Sequence, residues 1–280
     1  MRLLSCLLLA LFAVSPAHGR TLKPADFAAI REIRNLAVSP DGQWVAYSVR
    51  SVDLDKDKRA TNLWLAKWDG SSNRALTFGK KNQFAPRFSP DGKQLAFLSA
   101  RGDDDKGDQL WIMDLAGGEA RQMTDLKGEV EDYDWSPDGK HLVLQVHDAD
   151  PADDDDDKDK DDKAKPPIVI TRYYFKEDEV GYLTERHSHL FLLDLAGGEP
   201  RQLTSGAHEE LLPAFSPDGK EIAYVSKRGA DPDRSDDWDI YVIGTGAGAK
   251  ERQLTHTPEA DDDPDWESYP AWSPDGKWIA

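Results

Sequence analysis

The chain has 280 residues, enough to bury a sizeable core in one or two domains. It carries 53 Asp plus Glu against 35 Lys plus Arg, a formal net charge of −18. That balance excludes the basic face needed to hold nucleic-acid phosphates or an anionic membrane surface, and it is read as a solvated, solubilising exterior.

The chain opens with Arg2, an apolar run from Leu3 to Val14 and the small residues around Pro16-Ala17-His18-Gly19. The run is too short to span a bilayer, and the pattern predicts a secretory signal peptide over 1–19, cleaved near Gly19. A short buried helix fits the leading charge and trailing small residues less well. Cys6 is the single cysteine. It stands near the start of the apolar run rather than after it, so a lipid-modified cysteine does not fit. The mature chain then has no membrane anchor and no disulfide, and its expected location is the periplasm or the exterior. A lead-in follows over 20–34, where Pro24, Asp26 and helix-forming residues to Arg31 predict one short helix.

The rest, 35–280, is governed by a repeat. Ser-Pro-Asp-Gly occurs at Ser39, Ser89, Ser136, Ser216 and Ser273, with spacings of 50, 47, 80 and 57. Pro presets the second turn position, Asp can bond the backbone just ahead, Gly accepts positive φ, and Ser can satisfy the strand end. Apolar residues flank every copy, so each reads as a hairpin. A second hairpin follows in each unit: Leu63–Ala66 with Arg74–Thr77, Leu110–Leu115 with Arg121–Thr124, Leu190–Leu195 with Arg201–Thr204, and Asp239–Val242 with Arg252–Thr255. Four antiparallel strands per unit at this period predict an all-β fold, a β-propeller of four-stranded antiparallel blades. A β-sandwich would not repeat one turn at one place. Four blades are complete, at about 35–78, 84–125, 131–205 and 211–256. A fifth begins near Ser268 and is cut off at Ala280, as the front part of a longer protein would be.

The long third unit contains an acidic insertion at about 148–166, with Asp153 to Asp157 in a row. Like charges repel, so it is expected to be a disordered, solvated loop; without a glycine to bend it, convergence on calcium is disfavoured. Ile168 to Phe175 is β-branched and aromatic; an extra hairpin or a lip over one mouth would fit, but an ordinary packed strand is the favoured reading.

No catalytic, cofactor-binding or metal residue emerges. Gly-x-Ser-x-Gly is absent, and the repeated serines read as turn residues. His187 and His189 share one strand face but lack a third ligand, so a hydrogen-bonded pair at a blade edge is expected. His141, His147, His208 and His256 are scattered. Trp64, Trp111, Trp135 and Trp272 read as equivalent packing positions. Trp266 falls outside the strands.

The run Phe/Trp-Ser-Pro-Asp-Gly-Lys, then Leu-Trp-x-x-Asp-Leu-x-Gly-Gly, then Arg-Gln-Leu-Thr resembles two groups. One is the N-terminal propeller of prolyl oligopeptidase family serine peptidases, in the acylaminoacyl- and dipeptidyl-peptidase-like branch. The other is the non-enzymatic periplasmic propeller of the Tol system. The early first blade, the helix near Asp26, and the Ile170–Lys176 and Arg186–Leu190 segments are similar to the peptidase branch. That resemblance implies a propeller of seven or eight blades capping a C-terminal α/β-hydrolase domain, its Ser-Asp-His triad lying outside this chain. The implied partners are that domain and short peptides, with the propeller restricting access. The implied chain is inactive alone, and no cofactor is implied.

Overall fold

The structure, a computed structural model, describes residues 20–54, 58–102, 107–149, 168–177, 181–229, 232–234, 238–256 and 269–280. The leader at 1–19, nearly all of the acidic insertion, and Trp266 lie outside the described residues.

Four antiparallel sheets of four strands follow one another along the chain. The first blade has β1 (Glu32–Val38), β2 (Trp44–Asp53), β3 (Lys58–Lys67) and β4 (Asn73–Ala75). The second has β5 (Phe84–Phe88), β6 (Gln94–Ser99), β7 (Gln109–Asp114) and β8 (Arg121–Gln122). The third has β9 (Glu129–Trp135) and β10 (His141–His147), then the inserted hairpin of β11 (Lys176–Glu177) and β12 (Gly181–Tyr182), then β13 (Ser188–Asp194) and β14 (Arg201–Gln202). The fourth has β15 (Glu210–Phe215), β16 (Glu221–Ser226), β17 (Asp239–Gly244) and β18 (Arg252–Gln253). The fold is therefore a β-propeller with four complete blades, and among the described residues the fifth Ser-Pro-Asp-Gly turn is flanked by the isolated bridge Trp272↔Ile279.

The Ser-Pro-Asp-Gly turn repeats its bonding five times. Each serine hydroxyl donates to its aspartate at 2.5–2.8 Å and accepts the amide five residues on at 2.9–3.0 Å. The glycines sit at φ between +67° and +71°, a region closed to most side chains. Serine and backbone donors hold all five turn aspartates below the usual carboxylate range. Successive turns also touch: a methyl group on Gly92, Gly139, Gly219 or Gly276 would sit 3.5–3.8 Å from Cδ of Pro40, Pro90, Pro137 or Pro217 in the preceding blade.

Strand alternation sends every other side chain to each face of a blade, so the core lies between blades. Ala46, Leu63 and Leu65 pack on Phe88, Leu95 and Phe97 between blades 1 and 2. Ala96, Leu98, Leu110 and Ile112 pack on Tyr133, Trp135, Leu142 and Leu144 between blades 2 and 3. Val143 and Leu190 pack on Phe215, Ile222, Tyr224 and Tyr241 between blades 3 and 4. The first strands lie side by side, β1 with β5 and β9 with β15. Asn35, Ala85 and Leu212 take positive φ at register shifts in β1, β5 and β15. At the outer edge, Thr77, Thr124, Thr204 and Thr255 accept the amides of Leu63, Leu110, Leu190 and Ile240 in the third strands at 2.8–2.9 Å.

Several expectations are corrected. The helix α1 is a single turn, Pro24–Phe27, and β1 begins at Glu32, inside the lead-in assigned to 20–34. Pairing with the extended β2 (Glu32↔Arg50) draws those residues into the sheet. Among the described residues Ile168–Phe175 forms no strand: Phe175 O alone takes an amide from across the inserted hairpin, that of Leu183, and the large apolar side chains are exposed. The extra hairpin forms one step later, in β11 and β12, with Phe175 stacked on Tyr182. The tryptophans occupy two positions rather than one. Trp64 and Trp111 face Tyr47 and Phe97 in the third strand, while Trp135 and Trp272 precede the turn and donate their indole N–H to Arg87 O and Ala214 O of the preceding blade.

Candidate functional site

Among the described residues, a dense cluster of titratable side chains lies where blades 3 and 4 meet, at the end of the propeller that carries the insertion. β10 ends there at His147 with Asp148 just after it, β13 begins there at Ser188 just after His187, and β15 begins there with Glu210 just after Glu209. His189 is 5% exposed and donates from Nδ1 to Glu210 Oε2 at 2.7 Å, with Asp148 Oδ2 3.8 Å from its Nε2. Glu210 is wholly buried; it also accepts Thr204 Oγ1 at 3.1 Å and Arg228 Nη2 at 2.9 Å. Arg228 continues to Glu251 and lies over the Tyr241 ring at 4.4 Å. The Glu210 hydrogen bond, aided by the nearby charges of Glu210, Asp148 and Glu209, raises the His189 pKa against the opposing effect of burial.

Beside it, Glu209 takes His187 Nδ1 at 3.0 Å and the Ser188 amide at 2.9 Å. Burial pushes its carboxyl up, but His187, the Ser188 amide and His147 outweigh burial and hold it low. The expected pair at a blade edge is thus corrected. The two histidines bond to successive glutamates of the next blade rather than to each other, and His189 lies in an inner strand between β10 and β14.

Ser188, His147 and Glu131 supply the residue types of a hydrolytic triad, but not its geometry. A triad places the base between nucleophile and acid, using both ring nitrogens. Here Ser188 Oγ donates directly to Glu131 Oε2 at 2.6 Å, while Ser188 Oγ (3.3 Å) and Glu131 Oε1 (3.9 Å) lie against the same His147 Nδ1. Ser188 is also 2% exposed. The cluster can hold and exchange protons; it does not present a nucleophile.

The insertion straps over this seam. Arg172 grips Asp233 through two hydrogen bonds of 2.7 and 3.2 Å and donates to Thr184 O at 2.9 Å. Arg234 lies over Tyr173 at 4.5 Å. Ile168, Val169, Ile170 and Tyr173 stay exposed above it.

A second cluster lies on the first strands. Arg87 pairs with Asp132 at 2.9 Å, lies over Tyr133 and Tyr269 at 5.0 and 5.3 Å, and donates to the Tyr269 hydroxyl at 3.2 Å. Burial, with the nearby Asp132 charge, pushes the Tyr269 hydroxyl up to about 12. Of the residues singled out from sequence, the structure brings together His147, His187 and His189, and leaves His141 and His256 apart from that cluster. Glu131, Glu209, Glu210, Arg228 and Arg87 were missed. The one sequence signal was that Arg228 recurs as Arg101, each twelve residues after the turn serine.

No protein-family model matches the chain. Among curated proteins it is similar to the uncharacterized peptidase YuxL of Bacillus subtilis (32% identity over 78% of this chain and 33% of that protein). It is also similar to dipeptidyl-peptidase 5 of Porphyromonas endodontalis (29% over 94% of this chain and 38% of that one). The chain therefore spans little more than a third of the length of these relatives. Among solved structures, Pyrococcus horikoshii acylaminoacyl peptidase superposes at a TM-score of 0.61, with 18% identity, over 82% of this chain and 33% of its own. A putative TolB from Agrobacterium tumefaciens superposes at 0.51, with 19% identity, over 82% and 66%. Identities this low speak for the shared propeller alone.

Proposed function

We propose, from the premise that this chain resembles the N-terminal propeller of prolyl oligopeptidase family serine peptidases, that it is the substrate-gating, non-catalytic portion of an exported peptidase acting on short peptides. The observation carrying this reading is the similarity to two peptidases along 78% and 94% of the chain. The geometry is consistent with it: inter-blade packing builds a rigid ring segment, and the site residues hold one another instead of offering a nucleophile. Catalysis is assigned to an α/β-hydrolase domain outside these 280 residues, and the leader at 1–19 would direct export. Among the described residues, no helix is long and apolar enough to cross a membrane.

A non-enzymatic propeller scaffold is the second reading, favoured by the TolB superposition, which takes in two thirds of that chain. The deciding experiment expresses the complete open reading frame and assays dipeptidyl and acyl-aminoacyl chromogenic substrates, with and without a serine-directed inhibitor. Inhibitor-sensitive hydrolysis by the full product, and none by residues 20–280, is the expected result. A full product that hydrolyses neither substrate would overturn the peptidase reading and leave the scaffold.

A further inference from the structure

The seam between blades 3 and 4 differs from the other two in what fastens it. Between blades 1 and 2 the buried contacts are chiefly apolar, and between 2 and 3 the apolar cluster is joined by the Arg87–Asp132 pair and by Asp108 beside Glu129. Between 3 and 4, the apolar cluster is joined by three histidines of blade 3 set against carboxylates. Two of those carboxylates, Glu209 and Glu210, belong to blade 4. We propose that this seam is a pH-sensitive latch: His189, doubly protonated between Glu210 and Asp148, fastens blade 3 to blade 4, and its deprotonation loosens the seam.

The Glu210 bond takes one ring proton, and a second would face Asp148 at 3.8 Å, an ion-pair rather than a hydrogen-bond distance. Nδ1 donates to Glu210 Oε2 and Nε2 faces Asp148 Oδ2, so a neutral ring turns a lone pair towards one carboxylate. The charges around His189 come from several elements. They are Glu209 and Glu210 of β15 and the turn before it, Asp148 at the end of β10, and Arg228 after β16, which shares Glu210 and leads to Glu251. His187 and Glu209 stand beside it, with His147 and Glu131 beyond. Arg228 offsets one carboxylate charge, and the imidazolium offsets another. Loss of the proton leaves Glu210 buried with one cationic partner fewer.

The sign follows from the raised His189 pKa. Its stabilisation is complete below the unfolded histidine value, about 6.5, and is lost as pH rises through the higher folded value. Glu209 has the opposite sign: its lowered pKa gives stabilisation present above about 4.5 and lost as pH falls. The latch is thus tightest between those limits and opens on the alkaline side.

The test is hydrogen exchange on residues 20–280, with the rates divided by intrinsic exchange rates, at about pH 6 and about pH 8.5. Exchange in peptides covering β13 and β15 is expected to speed up several-fold at the higher pH, while peptides covering β2, far from both seams, stay unchanged. His189→Gln is expected to remove that difference. Equal protection of β13 and β15 at both pH values, or an unchanged difference in His189→Gln, would overturn the latch. Should the variant fail to fold, histidine NMR on the wild-type chain decides: a buried histidine titrating above about 6.5 supports the proposal, and none doing so sinks it.

Discussion

Blade 3 and blade 1 are written from the same repeat, but their first strands meet different surroundings. In blade 3, Trp135 before the turn is 7% exposed, is packed into the blade 2 cluster and donates its indole N–H to Arg87 O. Gly139 in the turn lies against Pro90 of blade 2. In blade 1, Val38 holds the equivalent place at 54% exposure, with Ile33 and Leu36 exposed beside it, and no described atom lies within 4 Å of the position where a side chain on Gly42 would begin. The turn itself is the same in both, with the same serine and aspartate bonds. The turn motif therefore shapes a blade locally, whereas the neighbouring blade decides how much that strand contributes to stability, because apolar surface counts only when removed from water.

Substitutions at equivalent places test this. Trp135→Ala is expected to cost the most, about 3–5 kcal/mol, as it empties a packed inter-blade site and deletes a hydrogen bond. Urea denaturation measures it, and a loss below about 1 kcal/mol would contradict the comparison. Arg87→Met leaves Asp132 almost buried without its cation, for an expected loss of about 2–3 kcal/mol by the same method. Ser136→Ala removes the bonds to Asp138 and to the His141 amide, and should cost about 1 kcal/mol. Ser273→Ala, in the less enclosed fifth turn, should cost less. Val38→Ala is expected to stay within about 0.5 kcal/mol; a cost like that of Trp135→Ala would show that the blade 1 face is covered in solution.

One further prediction contrasts the two polar seams. Burial, then the neighbouring Glu129, raises Asp108 to about 7. A raised carboxyl pKa weakens the native state as pH climbs above the unfolded value, about 3.9, with the full penalty present above the folded one. Asp108→Asn is therefore expected to raise the urea midpoint near pH 8 and to leave it unchanged near pH 4. His189→Gln should lower it near pH 6. If Asp108→Asn lowered the midpoint at pH 8, the assigned sign would be wrong.

Much of this was legible in the residues. The five turns, the two hairpins per unit and the blade limits rest on interactions within five residues and on period-two alternation, both written locally. The start of β1 was not legible, because Glu32 becomes strand only by pairing with Arg50. The fate of Ile168–Phe175 was not either: β-branched composition states a preference, but a strand also needs a neighbour to pair with. His187 and His189 could be placed on one strand face, yet their partners lie 21 and 22 residues away in the next blade. Glu131, Glu209 and Glu210 looked like surface charge in an acidic chain, and nothing in their own segments marked Glu210 for complete burial.

By itself, then, the sequence determined the repeating blade, since turn chemistry and strand alternation act over short distances and need no knowledge of what lies alongside. Tertiary structure alone decided which repeated positions bear load and which charged residues meet. Desolvation, packing and ion pairing depend on the blade that lies alongside, and in this fold every side chain in a seam is completed by residues from a different repeat.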